Sequence, residues 1–194
     1  MKKKWLLLAV LLITLVSLGL RQTTTLFAKH EVGTAIDSLN GVKVYYNGSV
    51  SHVKDRNVAP DGYNIGLRWQ CVEFVKRYYY EFYHHKMPDS YGHAKDFFDQ
   101  SLADGAYNKK RNLNQYTNPS TSRPQVGDLI IFNGHPLNFY GHVAIVSKVA
   151  DKEIEIIQQN PGPMAPSREK IPLENKDGKY HLNYSLLLGW LRKK

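Results

Sequence analysis

Apolar residues mass first at the N-terminus, recur next at helical spacing, and fall into strand-length runs only in the second half of the chain. Residues 5–20 are almost unbroken apolar sequence, with no polar face to make them a packed surface helix. Residues 29–62 are polar and turn-rich; within them 41–46 reads as a short strand between Asn40-Gly41 and Asn47-Gly48. Cys71, Val75, Tyr78, Tyr79 and Phe82 then recur at helical spacing, with Lys76, Arg77 and Glu81 turned the other way. That helix is predicted to run to about His85, with Pro88 closing it. A second helix is predicted over 93–102, with Asp89 or Ser90 near its start, and 104–124 reads as loop. Strands follow at 129–132, 141–146 and 153–160, ended by Pro161-Gly162-Pro163. After a long loop over 161–183, residues 186–190 close the sheet. Helices first and consecutive antiparallel strands afterwards predict an α+β domain, with N-terminal helices packed on an antiparallel sheet. No internal repeat or second module interrupts it, and the length of 194 residues suits one domain over 29–194.

Charge changes the picture at the N-terminus. Lys2, Lys3 and Lys4 precede the apolar run, and the polar stretch 21–25 follows it. A cut after Ala28 would complete a secretory signal, although Leu26 is larger than usual two residues before such a site. The alternative is an uncleaved membrane anchor through residues 5–20, a little short of the ~20 residues a span needs. Either predicts a secreted or extracytoplasmic protein. The net charge of +9 includes Lys2, Lys3, Lys4 and Arg21, with no acid among residues 1–28; five net positives remain beyond them. That excess suits an anionic envelope polymer or membrane surface. No Lys/Arg cluster interleaved with aromatics suggests nucleic acid. No metal-ligand spacing occurs, and no cofactor is predicted. His84 and His85 diverge by about 100° on a helix and read as solvated helix-end residues. A monomer is expected.

Cys71 is the only cysteine, so it has no partner for a disulfide within the chain. It falls where a turn-rich segment, Pro60-Asp61-Gly62 and Gly66, enters a helix. Unpaired N–H groups and the positive end of the helix dipole there favour a thiolate. Cys71 reads either as a nucleophile or as a small buried apolar residue. A nucleophilic thiol needs an imidazole in reach, and eight histidines compete. His142 alone opens a strand, with Gly141 before it to admit a close neighbour. It reads as the base, or as a satisfied core histidine. On the next strand Ile154, Ile156, Gln158 and Asn160 share a face by period two. Gln158 and Asn160 therefore enter the interior, where either could hold the imidazole or tie down the Pro161 loop.

Together these residues resemble the cysteine–histidine amidohydrolase/peptidase (CHAP) family, and most of all its glutathionylspermidine amidase branch. The segment Trp69-Gln70-Cys71-Val72-Glu73-Phe74 is similar to that branch's nucleophile segment. Gly141-His142-Val143-Ala144-Ile145-Val146 is similar to its histidine strand, preceded by a match at Val126-Gly127-Asp128. Gln159-Asn160 falls where the family has a Glu-Gln-Asn run, and Leu188-Gly189-Trp190 is similar to its closing strand. The resemblance spans roughly residues 33–191. It implies a papain-like fold and thiol-dependent amide hydrolysis, with Cys71 as nucleophile and His142 as base. Gln158 stands where the branch has Glu; a neutral amide can fix the ring but stabilises the imidazolium less. The Cys71 N–H, with the Gln70 side chain, would stabilise the oxyanion, unless Gln70 is a loop residue bonded to backbone. The substrate implied is a cell-wall peptide amide or a small glutathione–polyamine conjugate. A catalytically silent binding domain is the remaining alternative.

Overall fold

The computed structural model describes Val10 and residues 30–136, 138–162 and 165–194. The chain divides into Met1–Glu31 and Val32–Lys194. The signal or anchor expected over residues 1–28 lies, but for Val10, outside the described residues. Among the described residues no helix is long and apolar enough to cross a membrane.

The second unit opens with two small hairpins, β1 (Ala35–Leu39) with β2 (Val42–Tyr45), and β3 (Arg56–Val58) with β4 (Asn64–Leu67). Helix α1 (Cys71–Tyr83) follows. The rest is β5 (Tyr107–Asn108), β6 (Leu113–Thr117), β7 (Leu129–Phe132), β8 (His142–Val149), β9 (Glu153–Ile157), β10 (Arg168–Lys176), β11 (Lys179–Leu182) and β12 (Leu187–Arg192). These eight strands form one antiparallel sheet in the order β11-β10-β9-β8-β7-β12-β6-β5. The domain is therefore α+β, but among the described residues of this unit a single α-helix takes the place of the expected N-terminal helices.

The apolar run of β8 explains how the sheet buries both faces. Val143 and Ile145 pack with Phe74, Val75, Tyr78 and Tyr79 of α1. Ala144 and Val146 point the opposite way, to Ile130, Ile156, Ile171, Leu182 and Trp190. That second cluster draws its buried residues from strands alone, so the sheet coils around its own side chains. Gly66 lets β4 lie flush on the first turn of α1: a Cβ there would come 3.0 Å from Glu73 Cα.

Three local expectations are corrected. The helix predicted over 93–102 is only a 3-10 turn, Ala94–Phe97, capped reciprocally by His93 and Asp96. The carbonyls that a longer helix would need are already taken. Arg111 Nη2 donates to Asp96 O at 3.1 Å, and Asn108 Nδ2 to Phe97 O at 3.0 Å. Residues expected as loop supply β5, β6, β10 and β11. In β10 the inward Ile171 and Leu173 alternate around Pro172, a residue that argues against a strand interior. Third, α1 ends at Tyr83, where His84 takes a left-handed conformation and His85 N–H closes onto Tyr79 O at 2.9 Å. His85 is not solvated: it is buried, with Nε2 2.9 Å from Arg111 O.

Lys76 and Arg77, expected on the outer face of α1, are also buried. Lys76 Nζ donates to Asn64 O, and to Ser90 O at 2.7 Å, beneath the Tyr63 ring. Burial pulls its ammonium down to about 7. Arg111 is a second buried cation of this kind. It donates to the carbonyls of Asp89 (2.6 Å), Tyr91 (3.3 Å) and Asp96, with Phe97 below its guanidinium. The two cations thus grip one loop, residues 89–96, by its backbone.

Candidate active site

Gln70 is the N-cap of α1, in extended conformation and without a side-chain cap. The helix start is therefore open, as the turn-rich sequence before it suggested, and Cys71 occupies its first position. The side chain is nearly buried, within the cluster between helix and sheet. Main-chain N–H groups of Val143, Val72 and Cys71 itself face the sulfur. They favour the thiolate, but desolvation opposes them and wins: burial pushes the Cys71 thiol up to about 11. The helix-start N–H groups thus favour the thiolate as expected, but burial outweighs them.

His142 is the first residue of β8, opposite Phe132 on β7. Gly141 makes room for the backbone of Lys95, whose nitrogen would lie 3.2 Å from a Cβ at 141. His142 Nε2 lies 3.0 Å from Gln158 Oε1. Burial pulls the imidazole down to about 4, against the opposing pull of that hydrogen bond. At neutral pH the thiol and the imidazole, which line one cavity, therefore both rest neutral.

The two amides that shared a predicted face take different partners. Gln158, just beyond β9 and buried, meets the imidazole. Asn160 does not: its φ of 55° swings it aside, and Nδ2 donates to Gln70 Oε1 at 2.8 Å and Val50 O at 3.1 Å. Gln70 uses both amide hydrogens on His52 O (2.7 Å) and Val50 O (3.3 Å). In this geometry it is the loop-binding alternative that Gln70 fulfils; the donors that face the sulfur are main-chain.

Sequence reasoning missed Gln159. It is fully buried, on the face opposite Gln158. Its Nε2 donates to Gln70 O (3.0 Å) and Glu73 Oε2 (2.9 Å), and its Oε1 accepts from Tyr45 N–H (2.8 Å). It thereby fixes the end of β9 against the start of α1, and so Gln158 against Cys71. Glu73 forms a buried ion pair with Arg77 at 2.7 Å and accepts from Asn57 Nδ2. The (i, i+4) spacing of Glu73 and Arg77 was visible in the sequence; that the pair faces inward was not.

Two cavities meet at His142. One, of about 560 Å³, is lined by Cys71 and largely apolar groups, including Val53, Leu67, Val72, Tyr91 and Tyr140. The other, of about 660 Å³, is lined by Phe132, Asn133, Gln158, Pro166, Glu169 and Tyr184. A substrate spanning both would pass the thiol and the imidazole. The expected 161–183 loop contributes to this cleft through residues before β10, such as Pro166, and through Glu169 on β10 itself.

A family model described as "CHAP domain" matches residues 61–160, a stretch that contains Cys71, His142 and Gln158. Trypanothione synthetase of Crithidia fasciculata is 26% identical over 141 residues, covering 68% of this chain and 22% of that protein. Glutathionylspermidine synthase of the same organism is 30% identical over 139 residues, 66% of this chain and 19% of that protein. The bifunctional glutathionylspermidine synthetase/amidase of Escherichia coli (strain K12) is 31% identical over 107 residues, 54% and 17% respectively. This chain thus spans no more than 22% of the length of any of the three.

Proposed function

Because the chain belongs to the CHAP domain family, we propose that it is a thiol-dependent amidohydrolase, with Cys71 as nucleophile, His142 as base and Gln158 orienting the base. The observation that carries this reading is the 3.0 Å contact of His142 with Gln158 at a cleft that also exposes the Cys71 position. The free nitrogen of His142 takes the proton from Cys71 as the sulfur attacks an amide carbonyl. The oxyanion forms against main-chain N–H groups at the open start of α1. His142 returns its proton to the leaving amine, and water then releases the acid. Both groups rest neutral, so proton transfer accompanies attack rather than preceding it.

For the substrate we favour peptide amides of the cell wall, met outside the cytoplasm by a protein exported or anchored through its N-terminus. The basic N-terminal residues and apolar run support this. The names of the relatives support a second reading, an amide between glutathione and a polyamine. Incubation with purified peptidoglycan and, separately, with glutathionylspermidine, each followed by mass spectrometry, distinguishes them. Release of wall peptides alone supports the first reading, and release of spermidine alone the second. No product from either, with a thiol that reacts as slowly as free cysteine, would point to a silent binding domain.

A further inference from the structure

Gln158 does more than touch the imidazole, because its other end is held. Its Nε2 donates to Pro166 O at 3.2 Å and to Glu169 Oε2 at 3.4 Å. If the amide were turned over, its oxygen would face a carbonyl and a carboxylate, and its NH2 would face the ring. The two acceptors thus fix Oε1 towards His142. An oxygen there requires the proton on Nε2, which leaves Nδ1 bare as the basic nitrogen.

Of those two acceptors, only Glu169 carries charge. It stands on β10 opposite Ile156 of β9, half-buried at the wall of the 660 Å³ cavity. Among the described residues no Lys or Arg forms an ion pair with it; its other partner is the Tyr184 hydroxyl. The neighbouring Arg168 is turned to Asp37 and Glu155. Glu169 also lies beyond the matched stretch of residues 61–160. A carboxylate with no counter-ion therefore sits one amide away from the imidazole, in a site whose own orienting residue is neutral.

We propose that Glu169 is a positioning residue: it locks the Gln158 amide, sets the tautomer of His142, and supplies at one remove the negative charge that Gln158 lacks. This rests on the Cys71–His142 reading above. The other titratable or charged groups facing the two cavities are Cys71, His135 and Tyr184 near the ring, and Arg56, Tyr91, His93 and Tyr140 on the far side.

The test is the rate of iodoacetamide alkylation of Cys71 against pH in four proteins: wild type, Glu169→Gln, Gln158→Glu, and the double variant. Glu169→Gln alone should slow alkylation near neutral pH by on the order of tenfold, since the imidazolium loses its only nearby anion. With Gln158→Glu the sign should reverse. Two carboxylates then face each other, and Glu169→Gln removes their repulsion and supplies a donor, so the double variant should react at least as fast as Gln158→Glu alone. A merely structural role would give the same loss in both backgrounds, and that result overturns the proposal. So does an unchanged profile for Glu169→Gln in the wild-type background. The assay needs no substrate: a reversed sign in a protein that cleaves no amide would overturn the proposed activity and leave Glu169's role standing.

Discussion

The two polar corners flanking the cleft are built from opposite materials. Behind Cys71, the first two turns of α1 hold a full ion pair, Glu73 with Arg77, buried and saturated by Asn57 and Gln159. Behind His142 stands a neutral amide, with the nearest carboxylate one residue further out. The first corner takes no part in the proposed proton transfer, so a buried pair with every lone pair satisfied can be rigid there. In the proposed mechanism the second must gain and lose a proton in each turnover. A carboxylate in direct contact would hold the imidazolium and raise its pKa; an amide fixes the ring while leaving it free to release the proton.

That contrast can be broken in order of severity. Cys71→Ala should reduce amide hydrolysis to background while the thermal midpoint stays near wild type, because one small side chain is lost. His142→Ala should cost nearly as much activity, since the two act as a unit. Full activity in either purified variant would remove it from the mechanism. Glu73→Ala leaves Arg77 buried and unpaired, and should destabilise the fold by about 3–5 kcal/mol in denaturant titration. Gln158→Ala is the converse: stability should change by only about 1 kcal/mol, while hydrolysis slows by roughly tenfold or more, at least ~1.4 kcal/mol of transition-state stabilisation. If Glu73→Ala spared stability and Gln158→Ala collapsed it, the division between rigid and switching corners would be wrong.

The smallest effect sharpens the comparison through pH. The imidazole of His142 is depressed from its ordinary 6.5 to about 4. The stability it contributes is therefore present in full above pH 6.5 and lost as pH falls towards 4. Wild type should lose stability over that window more steeply than His142→Ala, read from denaturation midpoints at pH 7, 5.5 and 4.5. Parallel slopes would mean the ring is not held neutral by burial.

How much of this was legible depended on whether a residue's partner was local. The helix start at Cys71 and the strands β7, β8 and β12 follow from uninterrupted apolar runs and their flanking turns. His142 was identifiable because it opens such a run. Lys76 was misplaced because its partners are backbone carbonyls of Asn64 and Ser90, which leave no mark on side-chain pattern. Arg77 was misplaced because its burial depends on the distant β9 end, where Gln159 and Glu73 meet. Strand β10 was hidden by Pro172 and by charged residues on its outer face. The choice between Gln158 and Asn160 turned on a left-handed backbone at 160, which period two does not anticipate.

The grip of Lys76 and Arg111 on residues 89–96 has a consequence for how this cleft changes over generations. Both cations hold main-chain oxygens, so the loop's path is indifferent to which side chain stands at Tyr91. That residue is among the most exposed aromatics and lines the apolar cavity beside Cys71. Selection can therefore trade it for another residue, redrawing what the cleft admits, without renegotiating the scaffold. A small library at Tyr91 should show melting temperatures clustered near the parent while substrate preference spreads widely. The same library at Arg111 should yield few folded members.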